Sequence, residues 1–200
     1  MVWLGLHSLV LESGPPADGS WKLLYVGQDG AHLEDATDLA GLGLQETAAR
    51  LVERFHDKIG IAAIGPAGER LYRSAGITHL DNDLNLTRIA ARGGLGAVMG
   101  SKRLKAIVLD ISRSNRPPVQ DQALFKDASR RYLQALQDHP QTSEIYTYYG
   151  TAAMVSACNT LGGMPTRNFS AGAFAGAEAI SGETIHDLNS SRGGDVDHAC

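Results

Sequence analysis

The chain has 200 residues, 43% of them hydrophobic and 20% charged. That fills one ordinary domain, or one plus part of another, and excludes disorder as a description of the whole chain. Its formal net charge of −4 gives a nucleic-acid partner no electrostatic support, two cysteines make no disulfide framework, and no apolar run approaches the length of a membrane span.

The start, MVWLGLHSLVLESG, lacks a basic leader with a small-residue cleavage site, so a reducing cytoplasm is the expected compartment. Residues 8–12 and 22–26 read as strands, joined by a Gly- and Pro-rich turn. Asp29-Gly30 reads as a hairpin turn that returns through residues 31–33. Residues 44–55 read as a helix, with Leu44, Ala48, Leu51 and Phe55 on one face. Residues 60–64 form a short apolar strand ended by Gly65-Pro66, and residues 71–77 are expected to pair with it as a hairpin. A polar connection, residues 78–87, leads to a Gly-rich stretch, and the β-branched run at 104–109 is a strand.

Residues 113–120 contain Pro117-Pro118 and read as a linker, so the expected domain boundary lies between 116 and 117. Beyond it the pattern turns helical. Residues 121–137 place Leu124, Ala128, Tyr132 and Leu136 on one stripe. Thr151 can cap a helix over 152–161 that stops at Gly162, and Ser181 can cap another over 182–188. The expected fold class is α+β: a β-rich part followed by the start of a helical domain.

The Gly-rich stretch reads Arg92-Gly93-Gly94-Leu95-Gly96-Ala97-Val98-Met99-Gly100-Ser101-Lys102. It has neither the spacing of a dinucleotide fingerprint nor that of a Walker A loop. Two readings stand. Missing side chains let backbone N–H groups converge on an anion, with Arg88 and Arg92 before the stretch and Lys102, Arg103 and Lys105 after it. Equally, the glycines ease a helix into tight packing on its neighbours.

Residues 92–107, RGGLGAVMGSKRLKAI, closely resemble the signature of the tungsten-dependent aldehyde:ferredoxin oxidoreductase family. IGPAGE at 64–69, YGTAAMV at 149–155, Asn159, GGMPTRNF at 162–169 and AEAISGE at 177–183 follow in family order and at about family spacing. The resemblance implies that residues 1–116 are the later part of a β-rich, pterin-binding N-terminal domain, present incompletely. Residues 117–200 would begin a helical second domain and end at the first cysteine of a cluster-binding run.

It further implies an enzyme that oxidises aldehydes to carboxylic acids at a tungsten (or molybdenum) bis-pterin centre. Electrons would pass through a [4Fe–4S] cluster to ferredoxin or a similar carrier. Carried over residue by residue, Arg88 and Arg92 match pterin-phosphate arginines, and Gly93 closes that segment. Ile89 stands where the family offers a backbone carbonyl near a Mg2+ that bridges the pterin phosphates. Ala91 replaces a family glycine, at a cost of about 1 kcal/mol if that glycine needs a positive φ. Cys200 matches the first cluster ligand.

The implied surroundings are an aldehyde substrate, no nucleic acid, no membrane, and a homodimer as one assembly of the full-length enzyme. A benzoyl-CoA reductase catalytic subunit is the alternative within the family, and an inactive, cofactor-free fragment the alternative outside catalysis. Both ends suggest a piece of a longer protein. The seven histidines show no metal-ligand spacing. His79 near Asp81 and Asp83, and His198 near Asp195 and Asp197, read as polar loops. Cys158 reads as a small buried hydrophobe, and Arg167-Asn168 as packing at a domain interface, with lining the cofactor as the alternative. No nucleophile–base arrangement stands out.

Overall fold

The computed structural model describes residues 1–12, 14–113, 117–194 and 196. Cys200, expected to ligate iron, lies outside the described residues, as do Asp195, Asp197 and His198. The chain divides into two compact units, Met1–Pro118 and Val119–Cys200. With a mixed sheet and separate helices, its class is α+β.

The first unit is built on one six-stranded sheet with strand order β2-β1-β6-β3-β4-β5. The hairpin of β1 (Lys22–Gly27) and β2 (Gly30–Asp35) turns on Gln28-Asp29, and Gly30 at φ 120° already pairs with Gly27. Strand β6 (Leu104–Asp110) runs parallel to β1 and antiparallel to β3 (Ile59–Ala63), which makes it the centre of the sheet. Helix α1 (Leu44–Phe55) buries Ala48 and Leu51 and packs Leu44 and Phe55 partly against the same core, the face its spacing predicts. Leu23, Ala63, Ala106 and Val108 are fully buried in that core.

Three expectations are corrected. Residues 8–12 form no strand, although Leu9 and Leu11 pack against the core. Alternation alone signals extended backbone, and extended backbone becomes a strand only when a neighbour accepts its hydrogen bonds. Residues 71–77 do not fold back on β3. Pro66 opens a helical turn, α2 (Pro66–Glu69), and β3 pairs instead with β4 (Ile77–Leu80). The connection at 78–87 is largely a hairpin, in which β4 pairs with the edge strand β5 (Leu86–Ala90). Its loop is held by Asp81, which accepts hydrogen bonds from the amides of Asp83 and Asn85 and from the Thr87 hydroxyl. The Thr87 hydroxyl is the main reason the Asp81 carboxyl is held below its ordinary value.

Helix α3 (Leu95–Ser101) follows the Gly-rich turn and approaches α2 where Gly100 meets Gly68 with no room for a side chain. A Cβ on Gly100 would stand 2.0 Å from the Gly68 carbonyl oxygen, and one on Gly96 would stand 2.3 Å from that of Gly76. Under this contact lies a buried charge pair. Lys105 is fully buried in β6, and its Nζ donates to Glu69 Oε1 at 2.5 Å and to the Leu42 carbonyl oxygen at 3.3 Å. Glu69 Oε2 accepts from the Gly41 amide at 2.8 Å, so both partners are satisfied without solvent.

At the far end of β6, Asp110 collects a second network. The Tyr25 hydroxyl donates to Asp110 Oδ2 at 2.6 Å, the Ser112 amide donates to Oδ1 at 2.8 Å, and His56 Nε2 lies 3.3 Å from Oδ1. Burial pushes the Asp110 carboxyl up, yet the hydrogen bonds from Ser112 and Tyr25 and the nearby His56 outweigh it and hold the group well below the usual carboxylate range. The bond to Asp110, followed by burial, pushes the Tyr25 hydroxyl up to about 12.

The second unit is helical. Asp121 caps α4 (Gln122–Asp138) by accepting from the Leu124 amide. The predicted stripe exists, but no residue of α4 is buried, and Leu124 and Tyr132 are exposed. A π-helical turn, Gln141–Ile145, and the short α5 (Tyr146–Tyr149) follow. The helix expected from residue 152 begins later, as α6 (Met154–Thr160), after a 3-10 turn that spans Gly150–Ala153. Cys158 on α6 is partly buried, not fully as expected. Ser181 caps α7 (Gly182–Ser191), accepting from the Thr184 amide. Between α6 and α7, Arg167, Asn168 and Phe169 all take positive φ inside a tight loop closed by the Thr166–Ala171 bridge. No helix among the described residues is long and apolar enough to cross a membrane.

Two stability experiments follow from these contacts. Gly100→Ala drives a methyl into the Gly68 carbonyl and lowers stability by about 1–3 kcal/mol. Gly93→Ala meets open space and costs about 1 kcal/mol, through its φ of 88° alone. Equal midpoints in urea would show that the α2–α3 contact is not limiting.

The second concerns pH. Asp110, depressed in the folded state, contributes stability above about pH 4 that is lost as pH falls. Tyr25, raised from its ordinary 10.0, contributes stability below pH 10 that is lost as pH rises toward 12. Tyr25→Phe therefore lowers the neutral-pH stability by about 1–3 kcal/mol and flattens the decline above pH 10. An unchanged alkaline limb would sink the assignment.

Candidate functional site

The six residues singled out from the sequence fall on one continuous edge, apart from Cys200. Arg88 and Ile89 lie on β5, the outermost strand of the sheet, and both are exposed. Ala91, Arg92 and Gly93 form the turn that leaves β5, and all three are exposed. Gly93 and Gly94 are left-handed, at φ 88° and 67°. Ala91 is not, so the substitution of alanine for a family glycine carries no left-handed strain here.

The turn has two sides. On the inner side, a Cβ on Gly94 would stand 2.2 Å from the Arg73 carbonyl oxygen, and the Gly96 amide donates to the Ala75 carbonyl at 2.9 Å. On the outer side, nothing lies within 4 Å of a Cβ built on Gly93. Packing and cradling are therefore divided between neighbouring glycines: 94, 96 and 100 pack, and 93 faces open space. Helix α3 has seven residues and its Gly94 cap bears no side chain, so charge for an anion must come chiefly from side chains.

Among those, the basic flank expected at 102–105 changes. Lys105 is consumed inside the protein by Glu69. Arg103, itself at φ 53°, lies over the Trp21 ring, 5.0 Å from its centroid. The Lys105–Glu69 pair was missed in the sequence, where Lys105 reads as one of a basic run. The signal was there in its position between Leu104 and Ala106 of an apolar strand. A lysine inside such a run must find an acid or leave the core.

Other candidates resolve as structure. His79 Nδ1 lies 3.1 Å from the Arg88 carbonyl oxygen, and Asp81 serves the loop amides. Among the described residues no three His, Cys, Asp or Glu side chains group to hold a metal. Asn159 Oδ1 accepts from the Phe174 amide at 2.6 Å, fixing the loop after PTRNF.

The family model described as the N-terminal domain of aldehyde ferredoxin oxidoreductase matches residues 1–111, and that of its domains 2 and 3 matches residues 127–200. The chain is 39% identical over 163 residues, 81% of its length, to the tungsten-containing aldehyde ferredoxin oxidoreductases of Pyrococcus horikoshii and Thermococcus kodakarensis. It is 31% identical over 126 residues to an aliphatic sulfonate oxidoreductase, WOR-like subunit, of Pyrococcus furiosus, covering 56% of this chain and 19% of that protein. A solved active-site complex of benzoyl coenzyme A reductase with 1,5-dienoyl-CoA aligns with 60% of this chain and 18% of its own, at 28% identity and a TM-score of 0.49. The chain spans 26% of the length of the aldehyde ferredoxin oxidoreductases it matches. With one family model on each of its two parts, the chain belongs to the aldehyde ferredoxin oxidoreductase family.

Proposed function

We propose that this chain is the part of an aldehyde-oxidising enzyme that holds the phosphate end of a tungsten (or molybdenum) bis-pterin cofactor. The carrying observation is the exposed run from Arg88 on β5 to Gly93 in the following turn, in which two arginines precede a left-handed glycine that opens outward. The 39% identity to tungsten-containing aldehyde ferredoxin oxidoreductases supports the reading.

The residues present fit the anionic part of such a group. Gly93 leaves room for an oxygen where a side chain would stand, and Arg88 and Arg92 offer planar donor forks to phosphate. The Ile89 carbonyl would face a Mg2+ between phosphates, a role indifferent to its side chain. When bound, metal and pterin supply the two-electron oxidation of aldehyde to acid. The chain's part is to fix the phosphates so that the cofactor keeps one orientation. Rigidity for that task comes from the inner side of the turn, where Gly94 and Gly96 lock it to residues 73–76. Cys200 would ligate the [4Fe–4S] cluster that passes electrons to ferredoxin or a similar carrier.

The compartment in this reading is the cytoplasm, the complete enzyme would take an aldehyde, and a homodimer is one assembly open to it. A second reading keeps the same cofactor but another substrate, as in a benzoyl-CoA reductase subunit. The match to the sulfonate oxidoreductase subunit favours keeping it.

In the complete enzyme, Arg88→Ala and Arg92→Ala are expected to lower the tungsten or molybdenum and pterin content per protein severalfold, measured by elemental analysis and pterin fluorescence. Unchanged content rejects the phosphate assignment. The 200-residue chain alone is expected to purify without stoichiometric tungsten or molybdenum and without aldehyde oxidation. A one-to-one metal content in that preparation would overturn this expectation.

A further inference from the structure

The arginines of the first unit divide sharply by partner. Arg50 is paired with Glu46, Arg54 with Asp38 and Arg113 with Asp29, while Arg103 stacks on Trp21. Arg70, just after α2, is exposed and, among the described residues, makes no side-chain hydrogen bond or ion pair, and the same holds for Arg73, Arg88 and Arg92. The last three stand on segments that touch. The Arg73 carbonyl oxygen abuts Gly94, the Gly76 carbonyl abuts Gly96, and a Cβ on Gly76 would meet Ile89 at 2.9 Å and the Ala90 carbonyl at 3.1 Å. The sheet register continues the contact, with Ile77 opposite Ala90.

Two acids near this corner are already committed, while Asp83 in the β4–β5 loop is exposed and bonds through its backbone. Glu69 is bound to Lys105 and the Gly41 amide, and Asp81 to its own loop. Asp81 is the carboxylate nearest in effect, since the charge of Arg88 is one cause of its lowered value. Exposed guanidinium groups normally find a carboxylate or disperse. Three without partners on abutting segments, beside a turn that faces open space, leave positive charge for an external anion.

We infer that Arg73 is a third guanidinium of this corner and binds a pyrophosphate-class anion together with Arg88 and Arg92. The inference rests on the cofactor-phosphate reading above and extends it to a segment outside the β5 turn. Arg73 packs against Gly94 through its backbone and offers its side chain to solvent, so replacing the side chain removes the charge and leaves the packing.

The test is calorimetric titration of the 200-residue chain with inorganic pyrophosphate at low ionic strength, where exposed charges are least screened. Arg73→Ala is expected to weaken binding about fivefold, comparable to Arg88→Ala and Arg92→Ala, and Arg73→Lys to recover part of the loss because charge returns without the planar fork. Arg113→Ala is the control and leaves affinity unchanged. Thermal midpoints confirm folding of each variant, and Arg73→Gln replaces Arg73→Ala if the latter is destabilised. If Arg88→Ala and Arg92→Ala weaken binding and Arg73→Ala does not, the inference falls and the cofactor reading stands. If pyrophosphate does not bind, or none of the three variants weakens it, both fall.

Discussion

The first unit depends on one buried charge pair. Lys105 sits on the central strand with its side chain wholly inside, and Glu69 meets it from the end of α2 at 2.5 Å. Burying two charges earns little net stability. Losing one partner, however, strands the other at a cost of about 3–5 kcal/mol. The pair therefore acts as a locating pin more than as glue. It fixes α2 against β6, and the remaining bonds of its two ends, to Leu42 and Gly41, tie the loop before α1 to the same point. Everything at the Gly-rich turn is positioned from α2 outward: Gly68 receives Gly100, residues 73–76 receive Gly94 and Gly96, and the turn at Gly93 is what projects beyond them.

That order separates two jobs that a run of glycines leaves merged. Glycines at 94, 96 and 100 are required because carbonyl oxygens occupy the space of a side chain. Gly93 is required by conformation, at φ 88°, and keeps its side open. The same order removes Lys105 from the pool of surface charge. An anion bound at this edge would therefore meet arginines, whose forks suit phosphate oxygens better than a point charge does.

Much of the fold was legible because local patterns and tertiary packing agree there. Helix α1 has the bounds its apolar spacing gives, and the cap expected at Ser181 holds, whereas the helix expected after Thr151 starts at Met154 with no side-chain cap. The failures share a cause. Residues 8–12 look like a strand, but pairing needs a neighbour that periodicity cannot name. The hairpin expected at 71–77 was drawn by short apolar spacing, whereas Pro66 fixes a φ that starts a helical turn and sends the chain on to β4. Of the candidate site, Arg88, Arg92 and Gly93 could be read from their types and order. The burial of Lys105 and the approach of Arg73 could not, since both depend on segments brought together only by the sheet.

Ala91 illustrates why backbone geometry governs this edge. A side chain replaces a family glycine at that position, yet the positive φ values fall two and three residues later, on Gly93 and Gly94. The left-handed pair sits where the inner contact with Arg73 begins, so the reversal of the chain is set by packing and not by position 91. Alanine there adds a methyl to an exposed stretch and leaves the amides, the carbonyl of Ile89 and the two flanking arginines unobstructed by strain. A site built from backbone groups and charged side chains on such a frame tolerates variation at 91. A side chain at 94, 96 or 100 has no such latitude, because each would displace the helix that the turn is anchored to.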